Sequence, residues 1–168
     1  MIINRCWNMP HKNTFGIKPV RAIIDKYNNP TLLSIDPFSN KNTLAKITND
    51  LDPQYNTTYN LDALDFLKTF ADDSVDLILF DPPFSPRQVS ESYKKLNKTV
   101  NWQTTQSSFW GNLKKEMGRI VKKDGIVITC GWSSGGVGKS NGFEIQEILM
   151  VAHGGNHNDT IIVVDKKI

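Results

Sequence analysis

The chain has 168 residues, 39% of them hydrophobic, which suits a single globular domain over residues 1–168 built on one continuous core. Twenty Lys and Arg against 17 Asp and Glu give a net charge of +3, a bias compatible with a nucleic-acid partner but too small to establish one. No window nears the roughly 18 apolar residues of a membrane span. The first fifteen residues hold no long apolar stretch, and Cys6 and Cys130 stand too far apart for a metal or redox pair, so a cytoplasmic protein without a membrane partner is expected.

After an irregular start, Lys18-Pro19 opens a helix in which Val20, Ile23, Ile24 and Tyr27 recur at i, i+3, i+4 and i+7 until Asn28-Asn29-Pro30 ends it. Three short strands follow at 31–35, 45–50 and 75–80, the last central because it is apolar almost throughout. Between the second and third, Leu61, Leu64 and Leu67 share a helical stripe over 61–70. A long helix runs from about Gln106 to Lys122, burying Phe109, Leu113, Met117, Ile120 and Val121, and closes at Lys123-Asp124-Gly125. A strand at 126–130, a Gly/Ser-rich loop at 131–142 and a hairpin of 144–152 with 160–165 complete the chain. Such alternation predicts an α/β fold: a mostly parallel sheet in three layers with a C-terminal antiparallel hairpin, whose sites form at the carboxyl ends of the strands.

At the end of the central strand stands Asp81-Pro82-Pro83-Phe84. An aromatic exocyclic amine is a poor nucleophile because its lone pair is delocalised into the ring. Two acceptors aimed at its two hydrogens localise that pair, and the Asp81 carboxylate with the Pro82 carbonyl provides them, held by two consecutive prolines that restrict the backbone. Phe84 adds a face on which an extruded base stacks, worth about 1–3 kcal/mol.

This tetrapeptide resembles the catalytic motif of the amino-methyltransferases that modify adenine N6 and cytosine N4. Ile35-Asp36-Pro37-Phe38 with Ser39-Asn40-Lys41-Asn42-Thr43 is similar to the family's cofactor loop, with Asn40 and Asn42 in place of its two glycines. Asparagine tolerates the left-handed region that such glycines occupy. The segments around Asp50 and around Asp62-Ala63 resemble those whose acids bind the cofactor ribose and the cofactor adenine, with Asp52 as the second choice for the ribose. Thr14-Phe15-Gly16-Ile17-Lys18-Pro19 is similar to the motif that walls the methionine end. The resemblance implies a Rossmann-like methyltransferase fold, S-adenosylmethionine as cofactor and N6 of adenine in DNA as the methyl acceptor. It assigns Asp81, Pro82, Pro83 and Phe84 to catalysis. To the cofactor it assigns Phe15, Ile17, Lys18, Asp36, Pro37, Phe38, Asn40, Asp50, Asp62 and Ala63. Cytosine N4, adenine in RNA and a catalytically silent nucleic-acid-binding or partner subunit stay open as alternatives.

Residues 85–105 read as a long polar loop facing nucleic acid through Arg87, Tyr93, Lys94, Lys95, Lys98 and Trp102. Trp110 reads as a core residue and Trp132 as either core or surface. Ser134-Gly135-Gly136-Val137-Gly138-Lys139-Ser140 ends like a phosphate-binding loop, but Ser133 stands where that loop needs glycine. His153, His157 and Asp159 have types and spacing compatible with a metal, yet hairpin turns favour the same residues and methyl transfer needs none, so no metal is expected. With no inserted recognition domain, short or relaxed specificity is expected, with single-stranded or locally melted DNA the better partner of a monomer or homodimer.

Overall fold

The structure, a computed structural model, describes residues 1–100 and 107–168. Its elements in chain order are β1 (Ile2–Trp7), a short 3-10 turn (Thr14–Gly16), α1 (Lys18–Tyr27), β2 (Ser34–Asp36), β3 (Ile47–Thr48), α2 (Ala63–Lys68), β4 (Val75–Phe80), α3 (Pro86–Lys95), α4 (Ser107–Ile120), β5 (Val121–Gly131), β6 (Phe143–Ala152) and β7 (Thr160–Lys167). The strands form one sheet in the order β1-β6-β7-β5-β4-β2-β3. All pairs are parallel except those of β7, which runs antiparallel to both β5 and β6.

β4 is apolar because it is covered on both faces. Leu77 and Leu79 point into a cluster with Val20, Ile23 and Ile24 of α1, while Ile78 and Phe80 point into one with Phe66 and Leu67 of α2 and Leu113 and Met117 of α4. These are the two faces of a period-two strand between helical layers. Burial of each such side chain contributes about 1.5–3 kcal/mol. α4 passes straight into β5, and its last carbonyls are met by the amides of Asp73 and Ser74 just before β4.

Four expectations change. The irregular start is an edge strand, β1, parallel to β6 and largely exposed, with Ile2, Ile3 and Trp7 in water, so no buried alternation marks it. The polar stretch 85–105 begins with a helix rather than a loop: Ser85 caps α3 by accepting from the Gln88 amide, Pro86 opens it, and Val89 is its buried residue. Lys123-Asp124-Gly125 does not end a helix but lies in a bulge of β5, where Val75 pairs with Val121 and Leu77 with Ile126 and Asp124 takes φ 65°. The strand expected over 45–50 is reduced to two residues plus an isolated bridge between Asn49 and Tyr59. Trp102 and Gln106 lie outside the described residues. No helix among the described residues is long and apolar enough to cross a membrane.

Candidate active site

A cavity of about 510 Å³ opens where β2, β3 and β4 end. β2 delivers Asp36 and then the loop of Pro37, Phe38 and Asn40, and β3 leads to Asp50 and Asp52. Asp62 and Ala63 come from the start of α2, and Asp81 to Phe84 from the end of β4. The cavity thus sits where the strand order reverses, with β3 on one side of β2 and β4, the next strand in the chain, on the other, the usual site position in an open α/β sheet.

The loop after β2 is built from side chain to backbone bonds. Asp36 Oδ1 accepts from the Phe38 amide at 2.9 Å, while its Oδ2 is buried with no partner among the described residues. Burial holds the Asp36 carboxyl well above the usual carboxylate range, against the pull of the Phe38 amide, and the neighbouring charges of Asp81 and Asp50 push it further. Asn40 has φ 53° and donates its amide to Asp50 Oδ2 at 2.9 Å, so asparagine here occupies the left-handed conformation expected of it. Asn42 does not. It exchanges two side-chain hydrogen bonds with Asn13, of 2.9 and 3.0 Å, and Asn13 in turn caps the Thr14–Gly16 turn. Burial also raises Asp50, with the amides of Asp52 and Asn40 opposing it.

Asn49, fully buried beside this loop, carries no local sequence signal of its role. Its side chain donates to the carbonyls of Pro37 (3.1 Å) and Leu61 (3.0 Å) and accepts from the Leu61 amide (2.9 Å). One side chain therefore fastens the loop after β2 to the segment that positions Asp62.

At the end of β4, Asp81 Oδ1 is buried without a partner among the described residues. Burial lifts its carboxyl to about 6, with the Thr14 hydroxyl pulling the other way. Phe84 meets Trp132 edge-on at 5.6 Å between ring centroids, and Trp132 is exposed. The Trp110 indole, expected in the core, donates to the Pro83 carbonyl at 3.0 Å, and Gln88 accepts from the Phe84 amide at 2.6 Å.

α3 lines the same cavity rather than an outer groove, through Gln88, Tyr93 and Lys95 among others. The Tyr93 hydroxyl donates to Asp62 Oδ2, while Asp62 Oδ1 caps α2 at the Leu64 amide. Burial first, then Asp62, drives the Tyr93 pKa up. Lys94 and Lys98 are exposed, and Arg87, also exposed, pairs with Glu91 at 2.7 Å.

The structure brings Pro37, Phe38, Asn40, Asp50, Asp62, Ala63 and the tetrapeptide to one cavity, with Asp36 at the root of its loop. Phe15 and Ile17 instead pack in the core under α1, because the 3-10 turn points them inward, and Lys18 faces solvent at the helix start. That segment reaches the cavity through Lys12 and Thr14. The His153 ring nitrogens engage the Asn8 carbonyl and the Thr160 hydroxyl, both at 2.8 Å.

No protein-family model matches the chain, and no curated protein matches its sequence. Solved structures match its fold. TrmN from Thermus thermophilus superimposes with a TM-score of 0.60 at 17% identity, covering 90% of this chain and 49% of its own. The 1,6-didemethyltoxoflavin-N1-methyltransferase of Burkholderia thailandensis, solved with S-adenosylhomocysteine bound, gives 0.61 at 9% identity over 89% of this chain and 77% of its own. A SAM-dependent methyltransferase from Methanosarcina mazei gives 0.58 at 11% identity over 87% and 97%. This chain spans about half the length of TrmN. The architecture is the Rossmann-like α/β fold shared by these SAM-dependent methyltransferases.

Proposed function

We propose that the chain is an S-adenosylmethionine-dependent methyltransferase acting on the exocyclic amine (N6) of adenine in DNA. The observation that carries this reading is the end of β4: an Asp81 oxygen, buried with no partner among the described residues, next to Pro82 and its carbonyl, opening on an acid-lined cavity. The residues fit the cofactor. A cavity bearing Asp50, Asp52, Asp62 and Asp81, with the orphaned Asp36 oxygen at its root, suits a ligand carrying a sulfonium and an ammonium. Asp50 would hold the ribose hydroxyls, Asp62 the adenine amine, and the loop of Pro37, Phe38 and Asn40 the body of the molecule. When bound, the cofactor supplies an electrophilic methyl group on sulfur.

Asp81 and Pro82 accept the two hydrogens of the target amine, so its lone pair turns toward the methyl. With a pKa of about 6, Asp81 is an acceptor at neutral pH and able to hold the proton the amine gives up. Phe84 stacks the base, and the exposed Trp132 braces its ring edge-on. Exposed Lys94 on α3 and Lys98 just beyond it supply phosphate contacts.

The test is incubation with labelled cofactor and DNA in single-stranded, mismatched and duplex form, followed by nucleoside analysis. N6-methyladenine, strongest on unpaired DNA, is expected. Asp81→Ala should keep cofactor affinity and lose about a hundredfold or more in transfer. Label in another nucleoside or in RNA alone would reassign the substrate, and normal turnover by Asp81→Ala would sink the mechanism.

A further inference from the structure

The two prolines of the catalytic turn leave a problem that the rest of the chain has to solve. Proline fixes its own φ but has no amide hydrogen, so neither Pro82 nor Pro83 can be pinned through an N–H. The ψ of Pro82 is restricted because another proline follows it. The ψ of Pro83 has no such restriction, yet it decides where the Phe84 ring stands relative to the Pro82 carbonyl. The only polar groups able to fix it are the Pro83 carbonyl and the Phe84 amide, which belong to one peptide plane.

Both are taken. Trp110 Nε1 of α4 donates to the Pro83 oxygen at 3.0 Å, and Gln88 Oε1 of α3 accepts from the Phe84 amide at 2.6 Å. The chain has no cis peptide bonds among the described residues, so these two atoms point in opposite directions and are gripped from opposite sides. The Pro82 carbonyl, by contrast, receives no hydrogen bond from any described residue. We infer that Trp110 and Gln88 are positioning residues, which clamp the Pro83–Phe84 peptide so that the Pro82 carbonyl and the Phe84 ring are presented together to the target amine.

Ser85 and Gln88 have the spacing of a capping box, in which the glutamine would reach back to the amide of the capping residue itself. Here it reaches one residue further, to Phe84. Ser85 makes the ordinary half of the box by accepting from Gln88. The departure from the local helix motif falls on the residue that stacks the base. Trp110 likewise does more than fill space: it meets Phe109 edge-on at 5.2 Å and still directs its N–H to the turn.

This inference rests on the turn being the amine-accepting site, and the experiment separates the two. Methyl transfer to DNA, cofactor affinity and hydrogen exchange of the Phe84 amide are measured for the full chain and for Gln88→Met, Gln88→Glu and Trp110→Phe. Gln88→Met removes the acceptor, Gln88→Glu keeps it, and Trp110→Phe removes the donor while keeping an aromatic ring. Gln88→Met and Trp110→Phe should retain wild-type cofactor affinity and lose about ten- to a hundredfold in kcat, with a smaller change in KM. Gln88→Met should expose the Phe84 amide to exchange, and Gln88→Glu should restore both its protection and most of the kcat.

Wild-type kcat in both donor- and acceptor-deleted variants would overturn the inference. So would a parallel fall in cofactor affinity, which would mean that the cavity had collapsed. If Trp110→Phe fails to fold, the pair of Gln88 variants decides alone. Absence of transfer by the unaltered chain would instead count against the reading of the site, with the exchange data still reporting whether the clamp exists.

Discussion

The two halves of the sheet are held by different physics. On one side β5, β6 and β7 run for 8 to 11 residues and close on Val127, Ile128, Ile162, Val163 and Val164, all fully buried. On the other, β2 and β3 are only three and two residues long, and the loops beyond them are tied by Asn49, Asp50, Asn13 and Asn42. The first half needs residues that are apolar and of the right size. The second needs particular amides and carboxylates at particular places, because a hydrogen bond has a direction and apolar contact does not. That is the half on which the cavity opens.

Ile162→Ala, deep in the long-stranded half, should cost about 2–5 kcal/mol in denaturant unfolding while the cofactor affinity of the folded protein stays unchanged. An equal loss of affinity would mean that the halves are not separable. Asn49→Ala should cost less in stability, about 1–3 kcal/mol, because buried groups of Pro37 and Leu61 lose their partner. Unlike Ile162→Ala, it should also weaken cofactor binding in calorimetry. Stability lost with binding intact would reduce Asn49 to an ordinary core residue.

The buried acids make a third difference, visible in pH. Asp81 has its folded pKa raised from 3.8 to about 6, so the folded state holds its proton more tightly than the unfolded state between those values. The penalty for burying its charge is therefore full above about 6 and fades as pH falls toward 3.8. Asp81→Asn should raise Tm at pH 7, with the gap from wild type closing as pH falls through about 6. A gap constant with pH would show that Asp81 is not buried as an ion. Methyl transfer by the wild type should fall over the same interval as the acceptor is protonated.

The smallest effects distinguish the two loop asparagines. Asn42→Ala should cost about 1 kcal/mol through its lost pair with Asn13. Asn40→Gly, at φ 53°, should change stability by no more than about 0.5–1 kcal/mol, since glycine adopts that conformation without strain. Equal costs would mean that φ is not what selects asparagine at position 40.

The contrast between the halves also explains what could be read from the sequence. β4 was legible to the residue because a strand buried on both faces is a continuous apolar run, and the hairpin of β6 and β7 because two long apolar stretches flank a turn. The tetrapeptide was legible because it follows β4 without a gap. Asn49 was not, since its value lies in partners twelve residues away on both sides, which no local pattern encodes. α3 was hidden because it buries only Val89 and otherwise looks like solvated loop, although the Ser85-Pro86 start was a helix signal. Trp110 reads as core because a large aromatic on a helix usually packs there, whereas the direction of its N–H is a property of the tertiary structure. Asn42 and Asn40 look alike because both stand where the resembled loop has glycine, and the φ of Asn40 and the pairing of Asn42 with Asn13 separate them.

β1 fixes an order of events in the making of this protein. Its ladder partner is β6, paired from Ile2 with Glu147 to Trp7 with Ala152, and the His153 ring clasps the Asn8 carbonyl just beyond. β1 thus pairs with a strand about 145 residues further along the chain, and loops of that length close slowly. Until that pairing forms, Glu147–Ala152 of β6 present an unpaired rim, the kind of surface on which unfinished chains stick to one another. Removing residues 1–8 would make that transient hazard permanent, and the penalty would appear as lost yield and aggregation before it appeared as lost chemistry.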